Sequence, residues 1–326
     1  MSNIAILHEE DLRAAVDINL ETVDCIETAF RTLGTGSVVM PSVLSMHLPD
    51  VNGEVDIKTA YIPGFSGFAV KVSPGFFDNP KRGLPSTSGL MIVFSATTGQ
   101  VQAVLLDNGY LTDIRTAAAG AVAARALSRE NSAHVAILGT GVQALLQLRA
   151  LCIVRPIQTA TICGRSHEKA EKLAQIASNL LGIKATASSN FEASVPNADI
   201  IVTTTPATEP IIKAEWLRPG QHITAMGSDQ SNKNELEAAC LSRADIYVPD
   251  RLSQCRKMGE LRAAIEAGAV KDDQQFAELG DLLVRDTPAR ANSNQITIAD
   301  LTGMGIQDTA IATLALTALR KESVVT

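Results

Sequence analysis

Residues His134 to Ala144 read His-Val-Ala-Ile-Leu-Gly-Thr-Gly-Val-Gln-Ala. An apolar, β-branched run from Val135 to Leu138 enters a turn at Gly139-Thr140-Gly141 and leaves as a helical pattern carrying Val142, Leu145, Leu146 and Leu148. A strand, a glycine turn and a helix N-terminus in that order can hold an anion, because the first N–H groups of the helix lack an intrahelical acceptor. Gly139 permits the sharp turn, and Gly141 lets the backbone approach a pyrophosphate. Ala144, third in the G-x-G-x-x-G/A spacing, lets the helix pack closely on the sheet. In such a unit the end of the second strand meets the adenosine ribose, usually through a carboxylate. Here that place reads Ile162-Cys163-Gly164-Arg165-Ser166, with no acid. Arg165 can neutralise a 2′-phosphate or stack on adenine, so NAD and NADP both stay open as the cofactor.

Around this turn the chain alternates strand and helix. Strands are expected at Thr159 to Cys163, Asp199 to Thr204, His222 to Met226, Ile246 to Val248 and Gln295 to Ala299, with helices such as Glu168 to Leu181 between several of them. That alternation predicts an α/β fold with a doubly wound parallel sheet. The segments Thr203-Thr204-Thr205-Pro206 and Ala225-Met226-Gly227-Ser228-Asp229 then end strands at the carboxyl edge, where ligands bind in open α/β sheets. Asn232 and Glu235 read as a capping pair that opens a helix.

The first hundred residues have another texture. A short helix is expected at residues 9 to 16 and a longer one at Leu20 to Leu33, ended by Gly34, with Leu20, Val23, Ile26, Phe30 and Leu33 on one face. Strand-like runs follow at Lys58 to Ile62, Gly67 to Val72, Leu90 to Phe94 and Val101 to Leu106. Turn signals separate them at Pro49-Asp50, Asn52-Gly53, Pro63-Gly64, Pro74-Gly75, Asn79-Pro80 and Thr98-Gly99. This predicts an α+β domain with an antiparallel sheet. A helix opening at Thr112, with Thr112 or Asp113 as its cap, leads into the glycine turn, and a last helix over Asp308 to Arg320 can return to the first domain.

The chain has 326 residues, of which 46% are hydrophobic, enough for two domains with full cores. A net charge of −7 argues against a nucleic-acid partner, whereas a small anionic metabolite needs only a few local cations. Cys25, Cys152, Cys163, Cys240 and Cys255 form no C-x-x-C pair and read as reduced thiols, so neither a metal site nor a disulfide framework is expected. Met1-Ser2-Asn3-Ile4 is followed by Glu9-Glu10-Asp11 rather than by a leader's basic flank and apolar run. The apolar stretch Ala117 to Ala124 is too short to span a bilayer. The expectation is a cytoplasmic protein without a membrane partner.

Five separated motifs carry a resemblance over nearly the whole chain. They are Gly67-Phe68-Ala69-Val70-Lys71, Asn79-Pro80-Lys81-Arg82-Gly83-Leu84-Pro85, Leu111-Thr112-Asp113-Ile114-Arg115-Thr116-Ala117-Ala118, Gly139-Thr140-Gly141-Val142-Gln143-Ala144, and Gly227-Ser228-Asp229 with Lys233 and Glu235-Leu236. In these the chain resembles the ornithine cyclodeaminase and mu-crystallin family, which includes archaeal alanine dehydrogenases and imine reductases. The resemblance implies a Rossmann-type domain at 116–303 inserted into a substrate-binding and dimerisation domain at 1–115 and 304–326, in a homodimer. It places the substrate lysine on Lys71, the carboxylate-binding arginine on Arg115 and the catalytic aspartate on Asp229. Cofactor contacts fall on Ser86, Arg115, Val142, Gln143, Thr205, Ile223 to Met226 and Lys233, beside Gly139, Gly141, Gly164 and Arg165. Physically, Arg115 near a helix start offers a planar fork to a carboxylate, and it can also pair with Asp113. Lys71 or Asp229 can manage a proton on nitrogen.

Two departures from the cyclodeaminases bear on the substrate. Ser42 follows Met40-Pro41 where they carry an arginine, and their glutamate on the next strand has no clear equivalent in Val55-Asp56-Ile57-Lys58-Thr59-Ala60. With Lys58, Lys71 and Arg115 near one pocket, a substrate with two carboxylates is expected, since each buried anion needs a partner. The branch it most resembles includes iminosuccinate reductase, which makes L-aspartate, and cyclodeaminase-like proteins of ectoine degradation. The reading is therefore hydride transfer to the imine carbon of iminosuccinate, with Arg115 on the α-carboxylate and Ser42 and Lys58 on the second. The alternatives are an NAD-dependent cyclodeaminase of a diamino acid and a non-catalytic binding protein like the mu-crystallins.

Overall fold

The computed structural model describes residues 4–285 and 287–325. Met1 to Asn3, on which part of the leader reading rests, lie outside the described residues. The chain divides into two compact units, one of Met1–Thr116 with Met304–Thr326 and one of Ala117–Gly303.

The first unit is built on six strands, β1 (Ala5–His8), β2 (Leu44–Leu48), β3 (Gly53–Ala60), β4 (Gly67–Phe76), β5 (Leu90–Ser95) and β6 (Val101–Leu106). Their order is β1-β6-β5-β4-β3-β2. Strands β2 to β6 form an antiparallel meander, but β1 pairs in parallel with β6, so the sheet is mixed rather than antiparallel throughout. Neither β1 nor β2 is foreseen by the pattern, because β1 is only four residues long and β2 is largely exposed. Pro74-Gly75 is no turn. The ladder of β4 with β5 ends at Val72, so Pro74 lies where β3 is the strand paired with β4, a place that tolerates a missing N–H.

Helix α1 (Glu9–Ala15) and helix α2 (Leu20–Gly34) form as expected, α2 being capped by Asn19, whose Oδ1 accepts from the Thr22 N–H at 2.9 Å. Val23, Ile26, Phe30 and Leu33 are buried, while Leu20 at the first turn is exposed. The C-terminal helix Gly305–Val325 packs on β3, β4 and α2. A Cβ at Gly305 would collide with the Thr59 carbonyl, so glycine is what lets this helix start against β3. Thr309 then donates to the Ala60 carbonyl at 2.7 Å and accepts from the Ala69 N–H at 3.0 Å, stitching the helix to both strands. The opposite sheet face carries Ile6, Val104, Ile92 and Val70 side by side across four strands, and these are half-buried or exposed.

Helix α3 (Tyr110–Leu127) starts two residues earlier than expected. Asp107, not Thr112 or Asp113, serves its first turn, accepting from the Leu111 N–H at 2.9 Å. Arg115 consequently sits in the second turn, so the helix terminus is not what orients it.

The second unit has seven parallel strands, β7 (His134–Leu138), β8 (Thr159–Cys163), β9 (Lys184–Ser188), β10 (Ile200–Thr203), β11 (His222–Ala225), β12 (Ile246–Pro249) and β13 (Thr297–Asp300). They run in the order β12-β13-β11-β10-β7-β8-β9. The pattern misses β9, whose Lys-Ala-Thr-Ala-Ser has no apolar run because it is an edge strand. Val135 and Ile137 face one core, with Ala144, Leu148 and Leu151 of helix α4 (Val142–Val154) and Ala170, Ala174 and Ala177 of helix α5 (His167–Leu181). Ala136 and Leu138 face the other, with Leu236, Cys240, Leu261 and Ala264. Side chains alternate across β7 into two separate cores, which is the doubly wound, Rossmann-type arrangement. Val142 is 65% exposed and belongs to neither core. The cysteines are free, and burial pushes the Cys25 and Cys152 thiols up to about 11. Among the described residues no helix is long and apolar enough to cross a membrane.

His222 is fully buried on β11 between the Thr297 and Thr224 hydroxyls, at 2.9 and 3.1 Å. Burial, with Arg290 and Arg155 nearby, pushes its pKa down to about 3. The unfolded chain takes up this proton near pH 6.5 and the folded chain does not, so its contribution is complete above that pH and lost as pH falls toward 3. At about 1.4 kcal/mol per pH unit, this group alone should lower stability by about 2 kcal/mol between pH 7 and 5. Denaturant unfolding of the wild type and His222→Gln at both values checks this, since the variant must show the smaller loss; an equal loss contradicts it.

Candidate active site

The sheet order of the second unit reverses between β7 and β10, and ligands of open α/β sheets bind at the carboxyl ends beside such a reversal. The glycine turn stands there. Gly139 has φ +137°, and a Cβ on it would collide with Thr204 Oγ1, so no other residue fits. Gly141 forms the N-cap of α4, provides no capping side chain and opens onto free space. These amides and this lack of a Cβ fit a dinucleotide pyrophosphate. A Cβ on Gly164, at the end of β8, would press on Thr140 of the turn itself. Arg165 is exposed beyond β8, and Ser166 is occupied in capping α5 through the Lys169 N–H at 3.3 Å. Gln143 accepts from Gln147 at 3.2 Å, and Gln147 also contacts the buried Met226 Sδ at 2.6 Å.

Glu235 corrects the capping-pair reading. No helix begins at Asn232, and Glu235 is fully buried. Its Oε1 accepts from Thr205 N at 2.7 Å and Thr205 Oγ1 at 2.6 Å, and its Oε2 accepts from Gly227 N at 2.8 Å. One carboxylate thus ties the loop after β10 to the loop after β11. Burial pushes its pKa up to about 7 against these donors. Glu260 extends the network, accepting from Ser228 Oγ, from Asn234 Nδ2 at 2.6 Å and from the Glu235 and Leu236 amides at 2.9 Å. Asp229 is exposed and pairs with Lys233 at 2.6 Å, so two residues read separately from the sequence are partners, and Lys233 stands in a loop rather than at a helix start.

In the first unit the structure brings Lys58, Lys71 and Arg115 together. Lys71 on β4 faces Lys58 on β3 in direct register, and both are buried. Such a like-charge pair is unfavourable unless anions compensate it. Asp308 of the C-terminal helix, fully buried, places Oδ1 3.0 Å from Lys71 Nζ and 3.1 Å from Arg115 Nε. Arg115 Nη1 donates to Gln307 Oε1 at 2.7 Å, and Lys58 lies 3.9 Å from Asp56. Arg115 is therefore no surface partner of Asp113. Burial pushes Lys71 down to about 7, with Asp308 opposing the shift and Arg115 and Lys58 adding to it. The sequence pattern does not single out Gln307 and Asp308 as site residues; the one available signal is the polar run Gln307-Asp308-Thr309 at the start of a largely apolar helix. Ser42 is exposed ahead of β2, outside this buried group, and Ser86 is half-buried with its carbonyl accepting from the Phe76 N–H at 2.7 Å.

Residues 3–322 match the model of the ornithine cyclodeaminase/mu-crystallin family. The chain belongs to that family. It is 55% identical to the Uncharacterized cyclodeaminase y4tK of Sinorhizobium fredii over 97% of this chain and 96% of that one. It is 35% identical to the alanine dehydrogenase of Archaeoglobus fulgidus over 94% and 92%. Among solved structures it is similar to an archaeal alanine dehydrogenase dimer with bound NAD (TM-score 0.90, 32% identity, 98% and 97% covered). It is also similar to the Thermococcus litoralis Delta(1)-pyrroline-2-carboxylate reductase with NADH and L-proline (0.93, 28%, 98% of each). A third is the iminosuccinate reductase of Paracoccus denitrificans with NAD+ (0.89, 26%, 98% of each).

Glu235→Ala should leave the half-buried Thr205 and Gly227 N–H groups without their acceptor, at about 1 kcal/mol each. A fall in thermal midpoint together with at least about tenfold weaker dinucleotide binding, read by fluorescence titration, is expected; an unchanged midpoint refutes the tie.

Proposed function

We propose that this chain is an NAD(P)H-dependent imine reductase acting on a small dicarboxylic imino acid, with iminosuccinate giving L-aspartate as the substrate that fits best. The observation that carries the reading is the cluster of buried cations in the first unit. Lys58, Lys71 and Arg115 stand together, with Asp308 at Lys71 and Arg115, Asp56 3.9 Å from Lys58, and Asp107 facing Lys71. A guanidinium and an ammonium in one buried group can each meet a substrate carboxylate, and buried ions are retained where they meet counter-ions. Alanine dehydrogenase, pyrroline-2-carboxylate reductase and iminosuccinate reductase among the solved relatives support amino- or imino-acid chemistry with a nicotinamide cofactor.

The dinucleotide, when bound, supplies the hydride. The α4 amides with Gly139, Gly141, Val142 and Gln143 hold its pyrophosphate, and Thr205 and Met226 line the carboxyl edge. Arg115 takes the α-carboxylate with its planar fork, while Lys58 takes the second; Ser42, exposed outside this buried group, is left without a part. Lys71 hands a proton to the imine nitrogen, and its near-neutral pKa suits that task. Hydride on carbon and proton on nitrogen complete the amine. Asp229, engaged with Lys233, leaves the proton step to Lys71. A cyclodeaminase reading has one point in its favour, Asp56 beside Lys58 on β3, an acid that can hold a side-chain amine.

The apolar face formed by Ile6, Val104, Ile92 and Val70 accounts for the dimeric state we assign to the chain, with a second copy covering it, as supported by the dimeric archaeal relative. Sedimentation equilibrium should return twice the chain mass, and Val70→Glu should shift it toward one copy. A wild-type monomer at micromolar concentration removes this assignment.

Oxidation of NADH or NADPH at 340 nm with oxaloacetate plus ammonia should exceed that with pyruvate plus ammonia. Lys58→Met should cut kcat/KM for the dicarboxylate at least about tenfold more than for the monocarboxylate. Equal losses sink the two-carboxylate reading, and ammonia release from a diamino acid without net cofactor oxidation would select the cyclodeaminase. In the same assay Arg165→Ala should weaken NADPH and spare NADH if the guanidinium meets a 2′-phosphate.

A further inference from the structure

Asp308 carries no sequence motif and stands outside the residues that the family resemblance points to, yet the buried cations of the first unit converge on it. It is fully buried, and so nearly is Gln307 beside it. Oδ1 serves both Lys71 and Arg115. Oδ2 has no hydrogen-bond partner among the described residues, and neither have Gln307 Nε2 and Arg115 Nε, the latter lying close to Oδ1 but misaligned for a hydrogen bond. A buried carboxylate oxygen left without a donor is costly, and the cost is highest where water is excluded. Asp308 has little freedom to escape it. The close approach of Gly305 to Thr59, and the Thr309 bonds to Ala60 and Ala69, hold the first turns of its helix against β3 and β4.

The chemistry of the vacant partners is specific. Two are donors, which suit a carboxylate; the third is an anionic acceptor, which suits an N–H of a protonated or developing cationic nitrogen. Lys71 Nζ, on the same carboxylate, stands where it can exchange a proton with a nitrogen bound at Oδ2. The charged groups facing Lys71 are Lys58 from β3, Arg115 from α3, Asp308 from the C-terminal helix and Asp107 from the segment after β6, and of the two acids only Asp308 is bonded to it.

We infer that Asp308 binds the substrate's nitrogen: Oδ2 accepts its N–H while Oδ1 keeps Lys71 and Arg115 aimed at the same molecule. This rests on the reading of Lys71 and Arg115 as the substrate site, and it goes beyond that reading in adding an anion whose task is to tell an imino or amino acid from a plain carboxylic acid. As the imine nitrogen becomes cationic on protonation, the fixed carboxylate stabilises the charge that develops there.

The test compares ligands that differ only in the amine. With saturating NADH or NADPH, under which an amino acid cannot be oxidised, calorimetry measures binding of L-aspartate against succinate and of L-alanine against propionate. The wild type should favour the amine-bearing member of at least one pair. Asp308→Asn should weaken that member about 10- to 100-fold, the range for losing a charged hydrogen bond, and change its amine-free partner less than about threefold. Asp308→Glu, which keeps the charge, should restore part of the preference and serves as the measurement if the asparagine variant does not fold. Equal weakening of both members, or a wild type that prefers the amine in neither pair, overturns the inference. Preference within the alanine pair alone upholds Asp308 while refuting the dicarboxylate substrate, so the two failures are distinct.

Discussion

Charge removed from water has to be balanced within a few ångströms, and each unit of this chain does so around a carboxylate with no exposed surface. In the first unit Asp308 gathers Lys71 and Arg115. In the second, Glu235 gathers the Thr205 and Gly227 amides and the Thr205 hydroxyl. A buried ion is a poor source of net stability but a strict one of geometry, because any rearrangement strands a charge or a donor. The backbone around both acids is correspondingly tight. Gly305 and Gly227 each sit where a Cβ would strike a carbonyl, so the chain closes to a distance only glycine permits.

The fold supplies the platforms for these two acids by ordinary means. A parallel sheet with a core on each face forces the chain to reverse its strand order once, and the glycine turn stands at that reversal. The mixed sheet of the first unit has one face covered by the C-terminal helix, which brings Asp308 onto β3 and β4 from more than two hundred residues away in sequence. Lys58 and Lys71 share that face because they are directly opposite in an antiparallel ladder, where one residue of slip would turn either of them to the other side.

Within the ornithine cyclodeaminase/mu-crystallin family, relatives that match nearly the whole chain carry different names, among them alanine dehydrogenase, Delta(1)-pyrroline-2-carboxylate reductase and iminosuccinate reductase. Fold alone does not choose between them. The buried charged side chains of the first unit, Lys58, Lys71, Arg115 and Asp308, are the groups whose chemistry differs most from an ordinary apolar core.

Much of this was determined by the sequence itself. The periodicities placed α2, β5, β6, β8 and the parallel alternation of the second unit within a residue or two, and Gly139 could be assigned because a strand, a glycine turn and a helix follow one another without a break. Local patterns report local structure, and these features are local. Tertiary structure alone decided the rest. Edge strand β1 is only four residues long, β2 is largely exposed and β9 has no apolar run, Pro74-Gly75 reads as a turn until a neighbouring ladder gives it a place in β4, and Glu235 resembles a helix cap until Thr205 and Gly227 fold around it. Asp308 shows the limit most plainly. Its chemistry depends on Lys71 and Arg115, which lie far from it along the chain and beside it only in space, and no spacing rule reaches a contact made by packing.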